Sequence, residues 1–146
     1  MDNVIKWLSG ACFSGLAFLS YLLGGWDAAL SILFLLMGLD ITTGLVVSLM
    51  RRSGRTKGGG FLSSAFFLGL TRKLLMLLLV ILGTALDGLL QTQLCRVSVI
   101  GFYSANEAFS IIENAAVAGI PFPKGLLALL ERYRDTRDGG EGKVGP

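Results

Sequence analysis

The sequence predicts an all-α integral membrane protein, and two observations predict it: the composition and the pattern of apolar residues. The chain has 146 residues, 53% hydrophobic and 16% charged, with a mean hydropathy of +0.68. A soluble domain of this length carries more charge and fewer apolar residues. Four apolar segments are each near the ~20 residues that a helix needs to cross a ~30 Å hydrocarbon core. One transmembrane helical domain, residues 1–134, is therefore expected.

The predicted spans cover residues 4–25, 28–50, 73–90 and 97–119. If the first segment lay flat on the membrane instead, three spans would remain. Residues 61–71 either lie at the interface or extend the third helix. Two prolines end the fourth helix, and an amphipathic helix over about 123–134 is expected to follow it at the inner membrane surface. Residues 135–146 are charged and glycine-rich, which predicts a disordered tail.

The basic residues are distributed unevenly around these spans. One lies in or before the first span, six are counted between the second and third, with Lys73 at the boundary of the third, and five follow the fourth, which leaves Arg96 alone between the third and fourth. Cytoplasmic segments of membrane proteins are enriched in Lys and Arg. Both termini and the basic segment 51–57 are therefore expected on the cytoplasmic side of the membrane.

Four acidic side chains lie inside the apolar stretches, namely Asp40, Asp87, Glu107 and Glu113. No Lys, Arg or His in these stretches is expected to pair with them. A carboxylate at mid-bilayer costs about 2.5–3.5 kcal/mol, so four unrelieved carboxylates would cost about 10 kcal/mol or more. Helices that turn these acids toward a shared interior that can be wet would remove that cost, which predicts a pore former.

The fourth span carries a polar stripe. At 100° per residue its polar side chains fall within about 120° of the helix surface. They are Asn106, Glu107, Ser110, Glu113 and Asn114. One interpretation is a stripe that faces a pore or another subunit. The alternative is a set of interhelical hydrogen bonds worth about 0.6–2 kcal/mol each, which suits the amides and the hydroxyl better than two carboxylates on one face.

The other spans carry fewer distinctive positions. In the second span, Gly44 lies on the face of Asp40 and permits close approach by another helix. Asp40 is either a pore residue or a protonated carboxyl bonded to Asn106 or to a hydroxyl. Asp87 lies near the outer end of the third span, where snorkelling to the surface is cheap. Small residues one turn apart predict helix packing in the first span, and they are Gly10 with Ser14 and Ala11 with Gly15.

The sequence offers little support for an enzyme, a cofactor or a metal site. It has no His, no nucleophile beside a base and no phosphate-binding loop. Cys12 in an apolar segment and Cys95 in a polar link lie at different depths, so neither a disulfide nor a metal site is expected. The basic loop comes without a folded module or aromatic platform for nucleic acid, so membrane lipid is the expected partner.

A set of short runs occurs in a characteristic order and spacing. The runs are Tyr21–Asp27, Asp40–Gly44, Leu62–Ser64, Arg72 with Lys73, Asp87, Asn106 with Glu107, Ser110, Glu113 with Asn114, and Gly119–Pro123. Together they resemble the phage-lysis and toxin-secretion holin family over about residues 15–132. The sequence departs from some holins in one respect, which concerns the timing of lysis. The methionine that follows Met1 is Met37, so a second nearby start codon for a short inhibitory form is absent from this sequence.

The resemblance implies a non-enzymatic protein that forms homo-oligomers in the bacterial inner membrane and permeabilises it, so that an endolysin or a large toxin leaves as cargo. It implies functional positions at Asp40, Thr43, Gly44, Asp87, Asn106, Glu107, Ser110, Glu113 and Asn114. The alternative function is a small four-span transporter or channel that uses Glu107 as a proton- or cation-coupled site. A scaffold subunit without a pore is a third possibility.

Overall fold

The architecture is a set of long α-helices. A computed structural model describes residues 2–50 and 63–123 and, beyond them, residues 125, 126, 128, 129 and 132. The helices in this part of the chain are α1 (Asp2–Leu22), α2 (Ala28–Leu49), α3 (Ser63–Leu90) and α4 (Leu94–Val117). The described residues contain no strand, and the predicted all-α class is confirmed.

Helix α3 differs most from its predicted span. The span was predicted over 73–90, whereas α3 begins ten residues earlier, at Ser63, because the segment up to Thr71 extends the helix. Arg72 and Lys73 therefore lie inside a helix and not at its edge. At a rise of 1.5 Å per residue, Lys73 is about 15 Å from the start of α3.

Three of the described helices are long and apolar enough to cross a membrane, over Val4–Leu22, Ala28–Leu49 and Phe66–Leu90. Helix α4 has 24 residues and a length of about 36 Å. It is not among these three because its polar side chains lower its hydropathy. Length and composition thus support a membrane protein with three candidate spans, and the fourth span over 97–119 stays a prediction.

The turn between α1 and α2 is built from local sequence signals. Gly24 and Gly25 have φ angles of 82° and 92°, a left-handed backbone that glycine adopts without strain. Asp27 then caps α2, since its Oδ1 accepts a hydrogen bond of 2.8 Å from the Leu30 amide. Aspartate is a preferred residue at this capping position, so α2 begins where an apolar run follows a capping acid.

Helices α2, α3 and α4 form one packed unit, in which α4 contacts both of the others. Helix α4 runs parallel to α2 and antiparallel to α3, as the side-chain contacts described below require. The shared core consists of Leu23, Leu30, Leu33, Met37, Val80 and Ile100. These apolar side chains lie between two polar clusters, one near the middle of the unit and one at the end that carries the α1–α2 turn.

Helix α1 lies apart from this unit. Every side chain from Val4 to Leu19 is exposed in the single chain. A Cβ built at Gly10 or Gly15 would have no described atom within 4 Å. The helix-packing role predicted for Gly10, Ala11, Ser14 and Gly15 therefore stays a prediction about contacts with other molecules.

The C-terminal part of the chain is described only in places. Within the amphipathic helix predicted over 123–134, the residues that the structure describes after Pro123 are helical. The basic segment 51–60 and the predicted tail 135–146 lie outside the described residues.

Candidate functional site

Three charged side chains meet between α2, α3 and α4, and we call Asp40, Lys73 and Glu107 the Lys73 triad. The Nζ atom of Lys73 donates to Asp40 Oδ2 at 3.0 Å and also to Glu107 Oε2. The side chains of Lys73, Asp40 and Glu107 are 9%, 17% and 3% exposed. The ammonium group therefore ties one carboxylate from each neighbouring helix to α3.

Neutral groups complete the triad on the side of Asp40. The Nδ2 atom of Asn114 donates to Asp40 Oδ1 at 3.2 Å and to Thr43 Oγ1 at 3.1 Å. A Cβ built at Gly44 would lie 3.6 Å from the same Asn114 nitrogen. The close approach predicted at Gly44 is thus made by the Asn114 side chain. The amide predicted to bind Asp40 was that of Asn106, whereas the structure places Asn114 there.

The expectation that the acids lack a basic partner is wrong for Asp40 and Glu107. That expectation counted Lys73 with the basic residues between the second and third spans, although the third span was predicted to begin at residue 73. In the helix the two side chains point in different directions, so that Arg72 is exposed and Lys73 is buried. Buried charges are retained in proteins where they are paired and hydrogen-bonded, as they are here.

The Lys73 triad lies near the middle of α2. Asp40 is the thirteenth of 22 residues in this helix, about 18 Å from its first residue and about 14 Å from its last. If α2 crosses a ~30 Å hydrocarbon core, the triad is therefore far from both aqueous phases. When all three groups are ionised, two carboxylates share one ammonium, so the triad has a formal charge of −1.

A second polar cluster, made by Arg96, Asp27 and Asp87, lies at one end of the packed unit, beside the α1–α2 turn. The guanidinium of Arg96 donates to Leu23 O at 2.6 Å, to Gly25 O at 3.0 Å and to Asp27 Oδ2 at 2.6 Å. Arg96 is buried, and its planar fork of donors suits several acceptors at once. It thereby fastens the α1–α2 turn to the first turn of α4.

Asp87 caps α4 from the neighbouring helix. Its carboxylate accepts bonds from Thr92 Oγ1 at 2.7 Å and from the amides of Cys95 and Arg96, each at 2.9 Å. Gln93, the residue at the N-cap position, makes no capping bond with its side chain, so α3 supplies the acceptor that the first amides of α4 need. Asp87 is buried, so its side chain bonds to α4 and does not take the cheap route to the surface that its position offered.

Asp27 lies outside the candidate spans, and its pKa depends on this cluster. The hydrogen bond from Arg96, followed by the one from the Leu30 amide, holds the pKa of Asp27 below its ordinary value of 3.8. The stabilisation from these bonds is therefore fully present above the ordinary pKa. It is lost as the pH falls through the lowered pKa of the folded protein.

The remaining members of the predicted stripe lie on α4 outside these two clusters. Asn106, Ser110 and Glu113 are half-buried, whereas Glu107 and Asn114 are buried in the interior. Whether the stripe faces a pore or another subunit stays a prediction. Within the described part of the chain, no group of His, Cys, Asp and Glu residues could hold a metal ion.

Several residues of the two clusters were missed by the sequence interpretation. These are Asp27, Lys73, Thr92 and Arg96. Asp27 could have been found, because an aspartate directly before an apolar run signals a helix start. The signal for Lys73 was weaker. Lys73 lies well inside α3, a helix of 28 residues, but this position is apparent only when the helix is known to begin at Ser63.

The chain is similar to several known proteins. A model of a bacteriophage holin family matches residues 17–135. An uncharacterised 14.9 kDa protein in the nagH 3′ region of Clostridium perfringens is 29% identical over 139 residues, which are 94% of this chain and 100% of that protein. An uncharacterised protein of Halalkalibacterium halodurans is 35% identical over 132 residues, 86% of this chain and 90% of its own. The uncharacterised Bacillus subtilis protein YqxH is 31% identical over 119 residues, 81% of this chain and 79% of its own. No solved structure matches the chain.

Proposed function

The chain belongs to the bacteriophage holin family, and we propose that it acts as a holin in the cytoplasmic membrane of a bacterial host. In this function copies of the chain oligomerise and permeabilise the membrane, so that an endolysin or another large protein leaves the cell. The function needs no catalytic residue and no cofactor. The observation that carries the proposal is the Lys73 triad, a group of charges buried between apolar helices.

The Lys73 triad supplies a chemical reason for two states of the membrane protein. In the closed unit the carboxylates exchange water for the Lys73 ammonium, and the desolvation of ions offsets much of that attraction. If α2, α3 and α4 separate within an oligomer, water hydrates the same groups. Because the ion-pair attraction and the desolvation cost offset each other, a small change in free energy is sufficient to shift the population from the closed to the open unit.

Liposomes test the proposed function directly. The purified chain is reconstituted into vesicles that contain both a small dye and a folded enzyme of endolysin size. We expect release of both above a threshold amount of protein per vesicle, because assembly precedes opening. A flux of protons or metal cations with both markers retained would favour the transporter, and no flux of any kind would favour the scaffold.

We further propose four spans, with both termini in the cytoplasm. Helix α4 runs beside α2 from the contact of Arg96 with Asp27 to the contact of Asn114 with Asp40. These contacts are about 27 Å apart along α4, so α4 accompanies α2 from its N-terminal cap to beyond its middle. Arg96 is the one basic residue in the chain between Lys73 and Lys124, which supports an external α3–α4 turn.

Cysteine labelling tests this orientation. In a chain without Cys12 and Cys95, single cysteines are placed at Gly59, Gly140 and Gln93. An impermeant thiol reagent applied to intact cells should label the Gln93 position and leave the other two unlabelled until the cells are permeabilised. Labelling at Gly59 in intact cells would reverse the topology, and labelling at Gly140 alone would place the C-terminus outside.

A further inference from the structure

We infer that the unequal charge of the Lys73 triad sets the delay before permeabilisation: Lys73 holds α2, α3 and α4 together, and the second carboxylate weakens that hold. This inference rests on the proposed holin function and deepens it. It assigns a role to Lys73, which joins two acids that lie 33 and 34 residues away in the chain.

With all three groups ionised, the formal charges of the triad do not balance. Helix α2 contributes Asp40, α4 contributes Glu107, and α3 contributes Lys73, which among the described residues is the one cation within 4 Å of either carboxylate. Asn114, which donates both to Asp40 and to Thr43, is neutral. One ammonium neutralises one carboxylate, and two carboxylates that are close together repel each other in a poorly solvated interior.

The two acids have different hydrogen-bond partners and different burial. Either acid could form a one-to-one ion pair with Lys73 if the other were neutral. Asp40 also accepts a bond from Asn114 at its other oxygen, whereas Glu107 is the more deeply buried and is paired with Lys73. If either acid is replaced by its amide, Lys73 and the remaining acid form a neutral pair. The closed unit should then be more stable than in the wild type.

Removing Lys73 has the opposite effect. The two carboxylates then face each other without a cation, and breaking a buried ion pair by removing one partner is strongly destabilising. The inference therefore predicts effects of opposite sign within one contact group. If these side chains only filled space between the helices, replacing an acid and replacing Lys73 would both destabilise the closed unit. Effects of opposite sign therefore distinguish a role of the charges from a role in packing.

The decisive experiment compares the variants Asp40→Asn and Glu107→Gln with the wild type. Each is expressed at matched amounts in the bacterial membrane and is also reconstituted into dye-loaded liposomes. We expect both to delay lysis and to slow dye release by about tenfold, the change that about 1.4 kcal/mol in a barrier produces. An onset equal to or earlier than that of the wild type in either variant would overturn the inference.

The Lys73 variants add a second measurement. Lys73→Gln should hasten release, and combining it with Asp40→Asn and Glu107→Gln should restore a delay, because the three sites are then uncharged. Arg72→Gln is the matched control, since it removes a neighbouring positive charge that is exposed. If Lys73→Gln does not accumulate in the membrane, the two acid variants still decide the inference. Absence of release by the wild type would instead reject the proposed function.

Discussion

Replacing Arg96 with Met is expected to cost the packed unit about 3 kcal/mol or more of its free energy of unfolding. The side chain donates to two main-chain carbonyls and to Asp27. Each buried acceptor that loses its donor costs about 1–3 kcal/mol, and the total stability of a domain is only about 5–15 kcal/mol. Thermal unfolding in detergent, followed by circular dichroism, measures the loss.

Two further variants make this result specific. Arg96→Lys should recover only part of the stability, because one ammonium cannot reproduce the planar fork that reaches three acceptors. Arg72→Met is the control for losing an arginine, since Arg72 is exposed on α3. Equal unfolding temperatures for Arg96→Met and Arg72→Met would show that the bonds to the α1–α2 turn contribute nothing measurable.

Gly83→Leu is expected to have the second large effect, because α3 and α4 approach each other there through their backbones. A Cβ at Gly83 would lie 3.1 Å from Arg96 Cα, 3.2 Å from Arg96 N and 3.3 Å from the carbonyl carbon of Cys95. Backbone atoms cannot rotate aside as a flexible side chain can. Overpacking of this kind typically costs about 1–3 kcal/mol, and here it also moves Asp87 away from the amides that it caps.

The matched control is Gly88→Leu on the same helix. A Cβ at Gly88 would meet no described atom within 4 Å, so the added side chain should leave the unfolding temperature close to that of the wild type. We expect Gly83→Leu to unfold at lower temperature and to be cleaved faster by protease near the α3–α4 turn. Comparable melting and cleavage for the two variants would show that the helices do not pack closely at Gly83.

Helices that depend on local signals were predicted well. The second span was predicted over 28–50, and α2 covers Ala28–Leu49, because one continuous apolar run defines it within a short stretch of chain. The third span was predicted to begin at residue 73, with 61–71 left as either an interfacial segment or an extension of the helix, and α3 begins at Ser63. Its first turns mix serine, alanine and glycine with Phe and Leu, a composition that in isolation does not distinguish a helix from an interfacial segment.

The candidate site was predicted only in part. Asp40, Glu107 and Asn114 were selected because polar groups inside apolar spans are expensive, and the structure brings them into one cluster. Asp87 was selected for the same reason, but it caps α4 in the other cluster. The cost of a buried charge identifies the residue, whereas its partner depends on which helix faces it.

The sequence by itself therefore determined the membrane class, the positions of the apolar helices and the acids that need compensation. Each of these follows from the composition of about twenty consecutive residues. Only the tertiary structure decided that Lys73 pairs with Asp40 and Glu107 and that Arg96 fastens the α1–α2 turn. These contacts depend on the rotation and register of α2, α3 and α4 relative to one another. Packing sets that arrangement. Its result is that Lys73 is buried whereas Arg72, its neighbour in the chain, is exposed.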